Sequence, residues 1–303
     1  MTITFEGRVP PVLRGHDPVR RGRMRQLAES GLTVLPGAYD CISARLVEKA
    51  GFNGLYLTGS GMSMSALGAP DVSLMSFGEV LDQVKRICDC VEIPVMADAD
   101  TGYGGPLNVI RTVREFERAG VSAIQIEDQT WPKKCGHEPD RRVVDIAEMT
   151  GRIKAAADAR SDRDMLIVAR TDARSVLGLS AAIDRAGAYV AAGADVVFVE
   201  SPESEEELRA VAASVDAPLL ANMVEGGRTP ILPAARLEEI GYRFVIYPNA
   251  VTRAVAFAAQ QLLGTLKADG STAGARAAMF DHRQLWDLFD YPSWVGIEAK
   301  YAR

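Results

Sequence analysis

Eight short apolar runs, spaced along the 303 residues, most strongly constrain how this chain can fold. Each run is followed by a segment with the apolar periodicity of an amphipathic helix. Continuous apolar runs that alternate with helices are typical of a parallel sheet whose faces are both buried. The runs are Thr33–Leu35, Gly54–Leu57, Pro94–Ala97, Ala123–Ile126, Leu166–Ala169, Val196–Val199, Pro218–Ala221 and Phe244–Tyr247.

The segments between these runs carry helix-ending signals. Glycine follows several of them, at Gly51, Gly120, Gly193 and Gly241, and glycine readily adopts the left-handed conformation that closes a helix. The predicted helices are Cys41–Ala50, Phe77–Cys88, Leu107–Ala119, Ile146–Arg160, Ser180–Ala192, Glu205–Val215, Ala234–Ile240 and Val251–Leu266.

A closed (β/α)8 barrel explains this alternation better than an open doubly wound sheet. An open nucleotide-binding sheet carries Gly-x-Gly-x-x-Gly after its first strand, whereas Leu35 is followed by Pro-Gly-Ala-Tyr-Asp. Gly59-Ser60-Gly61 lacks the lysine and the spacing of a phosphate-binding loop. A barrel typically needs about 250 residues. We therefore predict an α/β fold, one (β/α)8 TIM barrel domain over residues 1–303 with extra helices at both ends.

Both ends of the chain are predicted to add helices to the barrel. In the N-terminal extension, residues 1–30, Asp17–Glu29 has the pattern of a helix that closes the bottom of the barrel. In the C-terminal extension, about 271–303, Ala273–Leu288 has the pattern of another helix. The stretch Trp286–Phe289 is too apolar for a free tail, so we expect it to pack on another subunit.

Composition excludes several classes of partner. The net charge is −6 and the chain has no basic block, which argues against nucleic acid. No apolar run approaches the ~20 residues of a membrane span, and residues 1–30 are charged where a signal peptide would be apolar. Four cysteines are too few for a disulfide framework, and we expect Cys41, Cys88 and Cys90 to be reduced packing residues. We expect a cytoplasmic protein without membrane or nucleic-acid partners.

A polar group follows nearly every predicted strand. In a barrel the carboxyl ends of all strands meet at one face, where active sites lie. The sequence therefore predicts one polar site built from several strands. The residues at these ends are Thr58, Gly59, Ser60, Asp98, Asp100, Glu127, Asp128, Arg170, Asp172, Glu200, Asn222, Glu225 and Asn249.

Charged groups within this set indicate a metal and an anion. Asp98, Asp100 and Glu127 supply hard oxygen ligands without histidine or a second cysteine, which favours Mg²⁺ or Mn²⁺ over zinc. Arg170 ends an apolar strand, where an unpaired guanidinium would be costly. We expect it to meet a bound carboxylate. An internal ion pair with Glu127 or Glu200 is the alternative.

The stretch Lys133-Lys134-Cys135-Gly136-His137 combines a thiol, an imidazole and two ammonium groups. Neighbouring positive charges favour a thiolate, and the thiol proton is then easily delivered. A solvated surface cysteine is the simpler interpretation of this stretch alone. Its place shortly after Glu127, at the end of the fourth predicted strand, favours a catalytic Cys135 assisted by Lys133 and His137.

Together these motifs resemble the isocitrate lyase and phosphoenolpyruvate mutase superfamily. Lys-Lys-Cys-Gly-His is similar to the signature of that superfamily, and further matches follow in order over nearly the whole chain. The resemblance implies a (β/α)8 barrel, a Mg²⁺ site, and a homotetramer built from two dimers that exchange their eighth helices. The further matches begin at Pro36, Tyr56, Leu67, Asp98, Ile126, Ala169, Asn222 and Tyr247.

The resemblance also implies roles for single residues. Asp98 would bind Mg²⁺ most directly, with Mn²⁺ as a substitute, while Asp71, Asp100 and Glu127 would hold its waters. His137 would support the loop that carries Cys135, residues 130–142, which would close over the substrate. The implied substrate-binding residues are Tyr56, Thr58, Gly59, Ser60, Asp98, Arg170, Glu200 and Asn222.

The leading hypothesis is a Mg²⁺-dependent carbon–carbon lyase with Cys135 as proton donor. It would cleave a 2-hydroxydicarboxylate, an alkylmalate such as 2,3-dimethylmalate, into an α-keto acid and a monocarboxylate. Asn222-Met-Val-Glu-Gly-Gly resembles the alkylmalate lyases more than the Asn-x-Thr-Glu-Phe-Gly of methylisocitrate lyases. The alternatives are a 2-methylisocitrate lyase acting on a tricarboxylate, a carboxyphosphonoenolpyruvate mutase, and a catalytically inactive binding barrel.

Overall fold

The computed structural model describes residues 9–15, 17–136 and 140–302. Eight parallel strands pair in sequence order, and the last pairs with the first to close a barrel. The predicted (β/α)8 TIM barrel is thus confirmed, and each predicted apolar run lies on a strand. The strands are β1 (Thr33–Ala38), β2 (Leu55–Leu57), β3 (Val95–Asp98), β4 (Ala123–Glu127), β5 (Leu166–Thr171), β6 (Val196–Val199), β7 (Leu219–Asn222) and β8 (Phe244–Tyr247).

Helices follow the strands and cover the outside of the barrel. The sequence predictions missed three of them: two that directly follow the ends of β2 and β5, and the last one of the chain. The helices are α1 (Val19–Glu29), α2 (Cys41–Lys49), α3 (Gly59–Leu67), α4 (Phe77–Cys90), α5 (Pro106–Arg118), α6 (Ile146–Ala159), α7 (Ala173–Leu177), α8 (Leu179–Ala191), α9 (Glu205–Ser214), α10 (Ala234–Ile240), α11 (Ala250–Asp269), α12 (His282–Leu288) and α13 (Tyr291–Tyr301).

Side-chain caps mark the first turn of several helices, including α2 and α4. The carboxylate of Asp40 accepts from the backbone N–H of Ser43 at 2.7 Å, and the hydroxyl of Ser43 accepts from the N–H of Asp40 at 3.1 Å. The same reciprocal capping box starts α4 at Ser76 and Glu79. The predicted glycine stops are confirmed, because φ is positive at Gly51, Gly120, Gly193 and Gly241.

Helix α1 closes the bottom of the barrel, as predicted. Met24 is fully buried and packs with Leu35 and Phe244 inside the barrel. The guanidinium of Arg21 donates to the carbonyl of Val121, just before β4, at 3.2 Å. The helix therefore seals the end of the barrel opposite to the carboxyl ends of the strands.

The prediction of one C-terminal helix over Ala273–Leu288 was wrong. A 3₁₀ segment, Ala273–Ala278, is separated from α12, and α13 follows. The separation arises because the carboxylate of Asp281 accepts from the N–H of Gln284 at 2.8 Å and starts a new helix there. Asp290, with φ of 54°, then turns the chain between α12 and α13.

These C-terminal helices present an apolar surface. All 20 residues of α11 remain at least partly exposed. Phe257 and Leu263 on α11 are exposed, as are Trp286 on α12 and Trp294 on α13. A contiguous exposed apolar surface is typical of a contact with another protein surface. Within the described part of the chain, no helix has the length and apolar character that crossing a bilayer requires.

We propose that this surface, α11 to α13, packs on a second copy of the chain. Sedimentation velocity at micromolar concentration is then expected to show an even-numbered oligomer, because burying the aromatic side chains drives association. Trp286→Ser combined with Trp294→Ser is expected to dissociate it. The control Leu107→Ser, on the exposed face of α5, is expected to keep the oligomer. A stable wild-type monomer would contradict the proposal.

Candidate active site

Most of the polar residues predicted at the strand ends line one cleft of about 450 Å³, counting its opening to solvent, whereas Asp128, Asp172 and Glu225 do not line it. Gly59 and Asp100 line a small pocket beside it, together with Asp71 and Asp98. His137 lies outside the described residues. The cleft is lined by Tyr56, Thr58, Ser60, Asp71, Asp98, Glu127, Lys133, Lys134, Cys135, Gly136, Arg170, Glu200, Asn222, Val224, Ile246, Pro248 and Asn249.

Asp98, the last residue of β3, is held by its neighbours. One carboxylate oxygen, Oδ1, accepts from the backbone N–H of Asp100 at 3.0 Å and from Nε2 of Gln125 at 3.3 Å. The other oxygen faces Gly59, where an added Cβ would lie 3.0 Å from Oδ2. Glycine at position 59 therefore leaves room for this carboxylate and for a group bound to it.

Lys133 reaches into the acidic cluster instead of solvent. Its Nζ lies 2.6 Å from Oδ1 of Asp71 and 2.6 Å from Oδ1 of Asp100, and the side chain is 3% exposed. Burial by itself lowers the pKa of Lys133, but the surrounding carboxylates, Asp100 foremost, raise this pKa well above its usual value. Burial raises the pKa of Asp100 to about 6, although Lys133 opposes the shift. The lysine therefore stays charged and partly neutralises the acids.

The acidic cluster suits a hard divalent cation. The carboxyl groups of Asp71, Asp98, Asp100 and Glu127 lie around the ammonium of Lys133, and carboxylate oxygens are the ligands that Mg²⁺ prefers. Within the described residues, no three His, Cys, Asp or Glu side chains form a ready-made cage for a metal ion. Mg²⁺ commonly binds through one or two carboxylates and keeps several waters. The donor set is therefore compatible with this ion.

Arg170 forms ion pairs with carboxylates of the protein itself. Its Nε and one terminal nitrogen donate to both carboxylate oxygens of Asp172, at 2.9 and 3.0 Å. The guanidinium also lies 3.4 Å from Glu127 and 3.4 Å from Glu200. The internal ion pairs considered as the alternative are thus present, and the neighbour Asp172 is the main partner. A role for Arg170 in holding a substrate carboxylate stays a prediction.

Two buried oxygens at the cleft have no hydrogen-bond partner among the described residues: Oε1 of Glu127 and Oδ1 of Asn222. The amide nitrogen of Asn222 donates to Glu200 at 3.0 Å. Burial raises the pKa of Glu127 well above its usual value, although Arg170 opposes the shift. Since an unsatisfied buried oxygen costs about 1–3 kcal/mol, both oxygens are available to a polar ligand or a water in the cleft.

The loop 130–142 is tethered at its first half. The amide of Gln129 donates to the carbonyl of Lys134 at 2.9 Å and accepts from its N–H at 3.0 Å. The hydroxyl of Ser73 donates to the carbonyl of Lys133 at 3.0 Å. These bonds place the half-buried Cys135 against the cleft, as predicted.

Gly136 brings the loop directly onto the charged floor of the cleft. An added Cβ there would lie 2.9 Å from the carboxylate of Glu200 and even closer to the guanidinium of Arg170. The hydroxyl of Ser201 donates to the carbonyl of Gly136 at 3.3 Å. Only glycine therefore allows this approach, which explains why a glycine follows Cys135.

Arg141 anchors the other end of the loop, and the sequence predictions missed it. Its guanidinium donates to Asp172 at 2.5 Å and to the hydroxyl of Ser175 at 2.5 Å, and the residue is buried. Asp172 thus holds Arg141 and Arg170 together. In the sequence, Arg141-Arg142 has the pattern of a solvated loop, so no local signal identifies this contact.

The family described as phosphoenolpyruvate phosphomutase matches residues 24–267. The chain belongs to this family. The predicted membership of the isocitrate lyase and phosphoenolpyruvate mutase superfamily is thus confirmed, and the protein is an enzyme of that superfamily. The cleft at the carboxyl ends of the strands is where a barrel enzyme carries its active site.

Individual relatives agree with this membership. A 2,3-dimethylmalate lyase of Eubacterium barkeri is 45% identical over 281 residues, which cover 92% of this chain and 97% of that protein. A 2-methylisocitrate lyase of Halalkalibacterium halodurans is 40% identical, covering 93% of both chains. The crystal structure of a phosphonopyruvate hydrolase in complex with oxalate and Mg²⁺ is 31% identical, covers 94% of this chain and 99% of that chain, and superposes with a TM-score of 0.85.

Proposed function

We propose that the protein is a Mg²⁺-dependent lyase that cleaves an alkyl-substituted malate into an α-keto acid and a monocarboxylate. The mixed lining of the cleft carries the proposal. Acids, Arg170 and Cys135 line it together with the apolar residues Val224, Ile246 and Pro248. These apolar residues favour an alkyl group on the substrate over a further carboxylate. The 45% identity to a 2,3-dimethylmalate lyase supports the same substrate class.

Helix α3 supplies donors for the carboxylate next to the hydroxyl. Its first residues, Gly59 and Ser60, follow Thr58, whose hydroxyl accepts from the N–H of Gly61 at 3.2 Å and caps the helix. Free N–H groups and the positive end of the helix dipole favour an anion at this end. Asp98, with Asp71, Asp100 and Glu127 around it, would hold Mg²⁺. The bound ion would supply charge neutralisation at the carboxylate and hydroxyl oxygens.

The proton transfers can be assigned to two side chains. Glu127 presents a buried, unpartnered oxygen, which is suited to accept the proton of the 2-hydroxyl group. As the C2–C3 bond breaks, its electrons pass to C3, beside the second carboxylate. The thiol of Cys135 delivers its proton to C3 and completes the monocarboxylate. Closure of the loop over the substrate would exclude water, so that the thiol protonates the carbanion.

A substrate panel tests this assignment. Keto-acid release is measured with 2,3-dimethylmalate, unsubstituted malate and 2-methylisocitrate, while ³¹P NMR follows phosphoenolpyruvate and phosphonopyruvate. We expect the highest kcat/KM with an alkylmalate, because one buried methyl group contributes roughly 1–3 kcal/mol of discrimination. A preference for 2-methylisocitrate would overturn the substrate class. Interconversion of the phosphorus compounds, without keto-acid release from any malate, would overturn the lyase reaction itself.

A further inference from the structure

Two cysteines outside the active site lie side by side between neighbouring helices. Cys41 begins α2 and Cys90 ends α4, 49 positions apart in the chain. Sγ of Cys90 lies 4.0 Å from the carbonyl oxygen of Cys41 and donates to the carbonyl of Ile87 at 3.2 Å, while Sγ of Cys41 donates to the carbonyl of Arg86 at 3.6 Å. Both side chains are partly exposed. The sequence predicted reduced packing residues here, and it contains no signal that the two thiols meet.

The surroundings make the two sulfur atoms chemically different. The hydrogen bond from Cys90 lowers the pKa of Cys41 against the effects of burial and of Asp40, and Arg86 adds to the lowering. The same contact, together with burial, raises the pKa of Cys90, although Arg45 opposes this. Cys41 is therefore the thiol of the pair that ionises more readily, and the ionised form is the nucleophile.

We propose that Cys41 and Cys90 are a redox modification site at which a hydroperoxide oxidises the two thiols to a disulfide. The Cys41 sulfur attacks the O–O bond of hydrogen peroxide, which leaves a sulfenic acid and releases one water. The Cys90 sulfur then attacks the Cys41 sulfur, the S–O bond breaks, and a second water leaves. The two thiols together lose two protons and two electrons. The peroxide accepts these protons and electrons and becomes two molecules of water.

Such a disulfide would close a loop of the chain that contributes residues to the proposed active site. The chain between the two cysteines includes β2, α3 and Asp71, all of which contribute to the cleft. Arg45 donates to the carbonyl of Cys90 at 3.4 Å and to that of Leu288 in α12 at 3.1 Å. The cross-link would therefore join α2 to α4 beside the contact that Arg45 of α2 makes with α12. Because a disulfide lowers the conformational entropy of the unfolded chain, the oxidised protein is expected to unfold at a higher temperature.

The remaining cysteines allow a clean experiment. Cys88 is fully buried, which raises its pKa to about 12, so it serves as an internal unreactive thiol. Cys135→Ser, in the full-length protein, removes the active-site thiol and leaves three of the four cysteines. Brief treatment with hydrogen peroxide is expected to reduce the thiols titrated after unfolding from three to one. Peptide mass spectrometry is expected to find Cys41 linked to Cys90, and dithiothreitol to restore all three thiols.

Matched variants separate this site from general oxidation. Cys41→Ser is expected to abolish the cross-link and the rise in Tm, while leaving the turnover of the reduced enzyme unchanged. Cys90→Ser is expected to leave a Cys41 sulfenic acid that dimedone traps, and Cys88→Ser to change nothing. Loss of thiols without a Cys41–Cys90 peptide, or linkage only between separate chains, would overturn the proposal. These readouts need no substrate, so they are independent of the proposed lyase activity.

Discussion

Replacing Cys135 by serine is expected to lower kcat for an alkylmalate by about 10²–10⁴-fold, the usual effect of removing a general acid. Serine nearly preserves the shape of the side chain, but a cysteine thiol has a pKa of about 8.5 and an alcohol is a far weaker acid. Substrate affinity should change little, because the tethers from Gln129 and Ser73 to the neighbouring backbone remain. Steady-state kinetics with keto-acid detection would measure both constants.

The pH dependence of the same variant distinguishes proton donation from a structural role. Wild-type kcat is expected to fall on an alkaline limb as the thiol loses its proton, and this limb should disappear or move in Cys135→Ser. Cys41→Ser provides the matched control, because this thiol lies outside the cleft, and it should keep the wild-type profile. Near-normal turnover by Cys135→Ser would remove the donor role and leave the barrel and the acidic cluster unaffected.

Removing divalent cations is expected to abolish turnover, and adding Mg²⁺ or Mn²⁺ to restore it. The carboxyl groups of Asp71, Asp98, Asp100 and Glu127 lie around Lys133, and a divalent cation held by them would also neutralise a substrate carboxylate. The measurement is keto-acid release after dialysis against a chelator, followed by titration with each metal. Full activity in excess chelator would remove the metal from the proposed mechanism.

Metal binding can also be measured without catalysis. Asp98→Asn keeps the size of the side chain but removes the negative charge aimed at Gly59, so calorimetry is expected to show at least a tenfold loss of Mg²⁺ affinity, equivalent to about 1.4 kcal/mol. Asp184→Asn, on the exposed face of α8, is the charge-matched control and should bind like the wild type. Equal affinity in both variants would place the metal elsewhere.

The sequence by itself determined the barrel and the membership of its active-site cleft. Apolar runs such as Ala123–Ile126 and Val196–Val199 are strands because burial on both faces requires continuous apolar residues. Parallel strands bring their carboxyl ends to one face, so Asp98, Glu127 and Arg170 had to meet there wherever the helices lay. The place of each polar residue at the carboxyl end of its strand is enough for this inference, and that place is a local property of the chain.

Only the tertiary structure decided how these groups are partnered. The bond from Arg141 to Asp172 joins positions 31 apart, and the contact of Cys90 with Cys41 joins positions 49 apart. The apolar periodicity of the sequence does not predict such pairs, because they depend on how loops pack and on which side-chain rotamers fit. The close approach of Gly136 to Arg170 likewise depends on packing and is not predicted by the sequence pattern. Residue spacing therefore predicted which side chains share the cleft, while three-dimensional packing determined which of them hold one another.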